Sequence, residues 1–170
     1  GGKSLGGNFF EPTLIRDEGL PFNDKESLTA DPTDARFVYA IWDRLAAGRG
    51  PTWFTRSTDG GATWEPARSI YDPGPGRQTI NNQIVVLPDG TIYVAALGQN
   101  GVVRVAEGQI EYIAGLFRGS SDLAYVAPDR LIVANQESED LVVFAVAADG
   151  TLSQLGAPFK LAKPVCLLPV

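Results

Sequence analysis

The eight residues Ser57-Thr58-Asp59-Gly60-Gly61-Ala62-Thr63-Trp64 constrain the backbone more tightly than any other stretch of this chain. Gly60 and Gly61 supply the left-handed positions of a tight hairpin, and Asp59 is placed to turn its carboxylate back onto backbone N–H groups. Trp64 then returns the chain to an apolar face. The run predicts a clasp between two antiparallel strands, with Ser57, Asp59, Gly61 and Trp64 in structural roles. The 19 Gly and 12 Pro are scattered between short apolar runs, which suits an all-β chain with many tight turns.

A second signal is periodic. Asp31-Pro32-Thr33-Asp34 precedes the apolar run Phe37 to Trp42, Pro88-Asp89-Gly90 precedes Ile92 to Ala96, and Pro128-Asp129-Arg130 precedes Leu131 to Ala134. Pro88, Pro128 and Pro169 stand about 40 positions apart, the repeat length of a four-stranded propeller blade. The spacing predicts an all-β propeller filling residues 1–170 as one domain, with blades at about 23–72, 78–117 and 119–160. Their expected strands run Glu26 to Ala30, Phe37 to Trp42, Thr52 to Ser57 and Ala67 to Tyr71 in the first blade. The second takes Asn82 to Leu87, Thr91 to Ala96, Val102 to Ala106 and Ile110 to Ala114. The third takes Asp122 to Ala127, Leu131 to Asn135, Leu141 to Val146 and Leu152 to Leu155. Residues 8–16 and 163–170 are left over, an outer strand Phe9 to Ile15 and an inner strand Val165 to Leu168 that together would form a composite fourth blade. Two closures follow: a four-bladed ring within one chain, or a half-ring that pairs with a copy of itself and covers its open strand edges. The competing fold is an up-and-down barrel or sandwich of about a dozen strands.

Composition removes whole classes of chemistry. His is absent and Cys166 is the single cysteine, so Ser-His-Asp, Cys-His and thiolate-metal sites lack their central group, and no intramolecular disulfide forms. No metal site and no cofactor are expected. A formal charge of −6 without a basic tract argues against nucleic acid and against an anionic membrane as partners, and no apolar stretch is long enough to span a bilayer. The start Gly1-Gly2-Lys3 carries neither an initiator Met nor an apolar leader core, so the chain reads as a mature or excised product.

Two resemblances rest on different halves. Residues 8–94, with Asn23-Asp24-Lys25-Glu26, Ala30-Asp31-Pro32-Thr33-Asp34, Val38-Tyr39-Ala40-Ile41-Trp42-Asp43-Arg44 and the Ser57–Trp64 run, resemble sialidase-like β-propellers, whose Asp-box (BNR repeat) the run matches. Residues 131–170, with Val133-Ala134-Asn135-Gln136-Glu137-Ser138, Val142-Val143-Phe144 and Pro164-Val165-Cys166, are similar to the C-terminal end of lactonase-type propellers such as 6-phosphogluconolactonase. One natural family is not expected to carry both, so the chain reads as a chimera or a fragment with a seam near Val94 to Asn100. The sialidase-like half implies an exo-glycosidase of acidic sugars in a secreted or periplasmic setting, and the other half implies a sugar lactone hydrolase. The chain itself does not fix a compartment.

In propeller geometry the loops entering each inner strand and leaving each second strand gather at one mouth. These loops hold Asp24 and Lys25, then Arg77, Asn81 and Asn82, then Arg118 and Asp122, with Asp43, Arg44 and Glu137 from the second-strand side. Arg44, Arg77 and Arg118 facing one cavity would hold a carboxylate by paired hydrogen bonds, with Lys25, Asn81 and Asn82 beside them. The structural alternative is an ion pair of each arginine with Asp43, Asp72 or Asp122. A glycosidase needs an acid and a nucleophile or base, and Asp24 with Asp122 or Glu137 is the best pair on offer. The favoured reading of Asp24 alone is nonetheless a turn residue capping backbone N–H groups. No arginine stands in the Phe/Tyr-Arg-Ile-Pro setting of sialidases and no Tyr-plus-Glu nucleophile pair is evident. Trp42, Trp53 and Trp64 are expected in packing rather than as a sugar platform, Tyr39, Tyr93 and Tyr125 in the interior, and Cys166 as a small buried hydrophobe. The reading that follows is a non-catalytic propeller module that binds, scaffolds or self-assembles, with the two hydrolases as alternatives. Its partners would be a second copy and an acidic sugar or other carboxylate.

Overall fold

The structure, a computed structural model, describes residues 3–4, 7–8, 22–97, 101–106, 108–114, 119–126, 128–164 and 166–167. The described residues form fifteen strands and no helix. Strands β1 (Lys3–Ser4) and β2 (Gly7–Asn8) pair with each other. The first large sheet takes β3 (Phe22–Ala30), β4 (Val38–Leu45), β5 (Thr52–Ser57) and β6 (Arg68–Tyr71) in chain order. The second takes β7 (Ile80–Val86), β8 (Ile92–Leu97), β9 (Gly101–Ala106) and β10 (Gln109–Ala114) in the same way. The third takes β11 (Ser120–Val126), β12 (Arg130–Asn135), β13 (Asp140–Val146) and β14 (Leu152–Gln154), with β15 (Phe159–Lys160) on the same edge of β13 as β14. Every pairing in these sheets is antiparallel.

The sheets are stacked, and the middle one explains why its sequence is apolar throughout. Alternation along its strands sends Ile84, Val86, Ile92, Val94, Val103 and Val105 to one side, where they meet Tyr39, Ile41, Phe54 and Ile70 of the first sheet. It sends Leu87, Tyr93, Ala95 and Val102 to the other side, against Leu123, Leu131, Val133, Val142 and Phe144 of the third. A sheet buried on both faces needs β-branched residues at consecutive positions, as in Val102-Val103, and each fully buried Val, Ile or Phe contributes roughly 1.5–3 kcal/mol. The Tyr93 hydroxyl of β8 donates to the Gly150 carbonyl in the β13–β14 turn at 2.8 Å, and Tyr71 stacks on Tyr112 at 4.5 Å, the latter tying two neighbouring sheets at their outer strands.

Turn chemistry sets the register. In Leu87–Thr91 the Asp89 carboxylate accepts the Thr91 N–H at 2.9 Å and Gly90 takes φ 83°; in Ala147–Thr151, Asp149 and Gly150 repeat this with 2.9 Å and φ 79°. The three large sheets share a further irregularity. Each first strand carries one extra residue opposite its partner, between Asp24 and Ser27 in β3, between Ile80 and Gln83 in β7 and between Ser120 and Asp122 in β11. These three strands are also neighbours, β7 lying against both β3 and β11.

Several local expectations change. Strand β3 begins at Phe22 rather than Glu26, the bulge absorbing Lys25 at φ 56°. Strand β4 runs on to Leu45, so Asp43 and Arg44 are strand residues and not loop residues. Strand β15 is an addition to the expected third blade. Cys166 is exposed and outside any strand, and its neighbour Leu167 donates its N–H to Asp122; Val165 and Leu168 of the expected inner strand lie outside the described residues. Tyr125 is half-buried, whereas Tyr39 and Tyr93 are buried. The expected outer strand Phe9 to Ile15 lies outside the described residues.

Candidate functional site

Polar residues concentrate where the first sheet meets the β6–β7 connection. Asp43, only 1% exposed, accepts hydrogen bonds on Oδ1 from the Thr79 hydroxyl at 2.7 Å and from the Asn82 amide. The Thr52 hydroxyl lies 3.0 Å from Thr79 Oγ1 and 3.1 Å from Asn82 Oδ1, and Thr79 Oγ1 is 3.0 Å from the Gly50 carbonyl. Burial pushes the Asp43 carboxyl up to about 6, against the hydrogen bonds of Thr79 and Asn82, while the charge of Asp24 adds to the rise and Lys25 opposes it. Its second oxygen has no hydrogen-bond partner among the described residues. Enclosed on this scale, Asp43 is a strut joining two sheets, out of reach of a substrate.

The same strands present a different set outward. Because β4 alternates, Arg44 and Trp42 lie on the face opposite Asp43, with Asn23 the register partner of Arg44. Trp42 stacks on Trp53 at 6.4 Å between centroids, and the Arg44 guanidinium lies 4.7 Å over the Trp53 ring. A slot of about 190 Å³ opens here, lined by Asn23, Glu26, Leu28, Ala40 and Trp42 among others. Trp42 Nε1 and Asn23 Oδ1 are buried and without a partner among the described residues.

The remaining candidate residues fall as follows. Asp24 accepts the Lys25 N–H at 2.9 Å and stands 3.9 Å from its ammonium, and Lys25 is exposed. Asp122 accepts the N–H groups of Leu123 at 2.8 Å and Leu167 at 2.5 Å, which makes it an anchor for the chain's last described residues. Glu137 is exposed on the β12–β13 turn, its stem packed over Gly119. No hydrogen bond or ion pair among the described residues joins Asp24, Asp122 and Glu137 to one another. Arg77 is exposed and lines a different hollow with Arg49, between the β4–β5 and β6–β7 loops. Arg118 and the side chain of Asn81 lie outside what is described. Asp72 pairs with Arg49 at 2.6 Å and not with Arg77. Thus Asp24, Lys25, Asp43, Arg44 and Asn82 gather at one end of β3 and β4, and Asp122 and Glu137 belong to the third sheet.

The two loops at this end are locked together. Gly50 N–H donates to the Arg77 carbonyl at 2.9 Å, Thr79 N–H to Gly50 at 2.8 Å and Gly76 N–H to Gly48 at 2.8 Å. A Cβ on Gly50 would stand 2.5 Å from Gln78 Cβ, so only glycine permits the approach.

The Ser57–Trp64 hairpin sits apart, on the β5–β6 connection. Asp59 accepts the Thr63 hydroxyl at 2.5 Å and the Thr63 N–H at 2.8 Å, and Ser57 Oγ accepts the Gly61 N–H at 2.8 Å. Those Thr63 bonds hold the Asp59 carboxyl down at about 2, and Gly60 and Gly61 take φ 72° and 92°. Thr55 and the Arg56–Glu65 pair close the base of the loop.

Sequence reasoning gives Asp43 no central role. Its only signal is an acidic residue inside an apolar alternation, and the partners that bury it are 36 and 39 positions away. No protein-family model matches the chain, and no curated protein matches its sequence.

Proposed function

We propose that the chain is a non-catalytic, propeller-type scaffold module, three blades that complete a ring by pairing with a second copy. The observation that carries this is the state of the two outward faces. The middle sheet has apolar layers on both sides, whereas the apolar clusters of the first and third lie on one side each, and large apolar side chains stand outward: Leu28, 62% exposed beside the buried Ala40 and Trp42, on the first, and Leu155 and Phe159, 40% and 66% exposed, on the third. Register puts Leu28 level with Ala40, on the face away from Ile41, and puts Phe159 level with Leu141, away from Val142. The shared bulge and the adjacency of β3, β7 and β11 support a blade repeat around an axis. Two copies related by a two-fold axis would set each first sheet on the other's third sheet, giving a closed ring of six, within the usual propeller range of about four to eight. The engagement of Asp122 with backbone and the enclosure of Asp43 support a non-catalytic reading.

The test is directed at the faces. Leu28→Asp and Phe159→Asp are each expected to weaken self-association in sedimentation velocity by at least tenfold, while Val126→Ser, at an exposed strand end of the third sheet, leaves it unchanged. Equal behaviour of all three variants would refute the pairing, and turnover of a sialoside or a sugar lactone that disappears in Asp24→Ala would refute the non-catalytic part.

A further inference from the structure

Two arginines stand on the inward side of the first sheet, at positions where strand alternation calls for apolar residues. Arg56 is the register partner of Tyr39 and Arg68 that of Phe54, and both rings belong to the core shared with the second sheet. With Ile92 and Val105 of the second sheet they border a hollow of about 330 Å³. Arg56 gives Nε and Nη2 to Glu65, at 3.0 and 2.6 Å. Arg68 is exposed and makes no hydrogen bond or ion pair among the described residues; its guanidinium lies 5.7 Å over the Phe54 ring. The far wall is bare: Gly90 and Gly108 line it, and a Cβ on either would meet nothing within 4 Å. The next junction has the same parts, closed. Tyr93 and Arg104 are register partners in the second sheet as Tyr39 and Arg56 are in the first. Arg104 reaches across to the third sheet, donating to the Asp149 carbonyl, holding Glu111 at 3.2 Å and packing on Gly150 so closely that a Cβ there would collide with its Nη1. Gly108 follows β9 as Gly150 follows β13, yet no arginine covers it.

We infer that the hollow between the first two sheets binds a small organic monocarboxylate. The carboxylate accepts paired hydrogen bonds from the unpaired fork of Arg68 and a further one from Nη1 of Arg56. A single negative charge is what the set balances, because two guanidinium groups face one carboxylate, that of Glu65. The apolar remainder of the ligand rests on the methylene stem of Arg68 and on the edges of Phe54, Ile92 and Val105 that border the hollow, and its volume takes one or two rings. Neither arginine is among those expected at the mouth, and the hollow lies at the other end of β4, where Tyr39 stands near the start of the strand and Arg44 near its close.

The hollow lies within one chain, between two sheets whose shared side is not an outward face, so the inference stands apart from ring closure. Phenylacetate is titrated into the full-length chain while the arginine Nε–H resonances are followed by NMR, that of Arg68 being identified by its loss in Arg68→Gln. The Arg68 and Arg56 resonances are expected to move together and saturably, with a dissociation constant of about 1 mM or tighter. Phenylacetamide, of the same shape without the charge, should bind at least tenfold more weakly. Arg68→Gln should weaken phenylacetate by at least tenfold, read at Arg56, with a urea midpoint close to the original because Arg68 is exposed. Arg130→Gln, on the third sheet, should leave the affinity unchanged. Resonances unmoved at about 20 mM phenylacetate would overturn the proposal. So would unchanged affinity in Arg68→Gln, equal binding of the amide, which marks an apolar cleft only, or tighter binding of inorganic phosphate, which marks a site with no use for an apolar body.

Discussion

Replacing Asp43 by Asn removes a charge from the junction of the first two sheets while keeping an oxygen for Thr79 and Asn82. The carboxyl titrates at about 6 in the folded chain against 3.8 for an ordinary aspartate. Between those values the folded chain holds a proton that the unfolded chain has already lost, so Asp43 favours folding at low pH and that contribution disappears as pH rises through about 6. Roughly two pH units at 1.36 kcal/mol each give a loss of about 3 kcal/mol. The amide introduced by Asp43→Asn has no such transition. Its nitrogen occupies the place of an oxygen that lacks a partner among the described residues, which adds a pH-independent cost of about 1–3 kcal/mol. The clean quantity is therefore the difference between the two proteins as pH changes. In urea unfolding followed by tryptophan fluorescence, the stability of Asp43→Asn relative to the original chain is expected to rise by about 2.5 kcal/mol from pH 4 to pH 7.5 and then to level off. Contributions of the other carboxylates are common to both and cancel. Two curves parallel to within about 0.5 kcal/mol would refute the buried-strut reasoning.

Other perturbations test separate links. Phe144, fully buried against the middle sheet, should cost about 3–5 kcal/mol on replacement by Ala, read as a lower urea midpoint with little change in slope. Ala47 sits at φ 50° in the two-residue turn between Ala46 and Arg49, so Ala47→Gly should raise stability by about 0.5–1 kcal/mol, and a loss would contradict the left-handed turn. Asp59→Ala should expose the 57–65 hairpin to limited proteolysis at neutral pH. In the original chain the same bonds are fully present above the ordinary carboxylate range and disappear only as pH falls through about 2, because the folded value is depressed. Asp122→Ala should accelerate amide exchange at Leu167, and unchanged exchange would show that the tail is held otherwise.

Strand β8 is readable because Ile92-Tyr93-Val94-Ala95 is apolar at every position, and such a run needs cover on both faces. Turns with Asp-Gly at fixed places are readable for a local reason, since Asp89 and Asp149 bond an N–H two residues on. Strand β3 is less so: Asn23-Asp24-Lys25 has turn composition, and the backbone accommodates it as a bulge within a strand. Asp43 and Arg44 are misplaced by sequence reasoning because a charged pair reads as loop, and what makes them strand residues is a threonine, an asparagine and an indole ring brought in by the fold. The slot at Trp42 is illegible for the same reason: it exists only once β3 and β4 are in register.

Light scattering coupled to size exclusion, run over a wide range of protein concentration, weighs the claim of an open three-sheet unit most directly. A particle of two chain masses that dissociates on dilution is expected. A single chain mass at every concentration, with Leu28 and Phe159 unaltered, would contradict it.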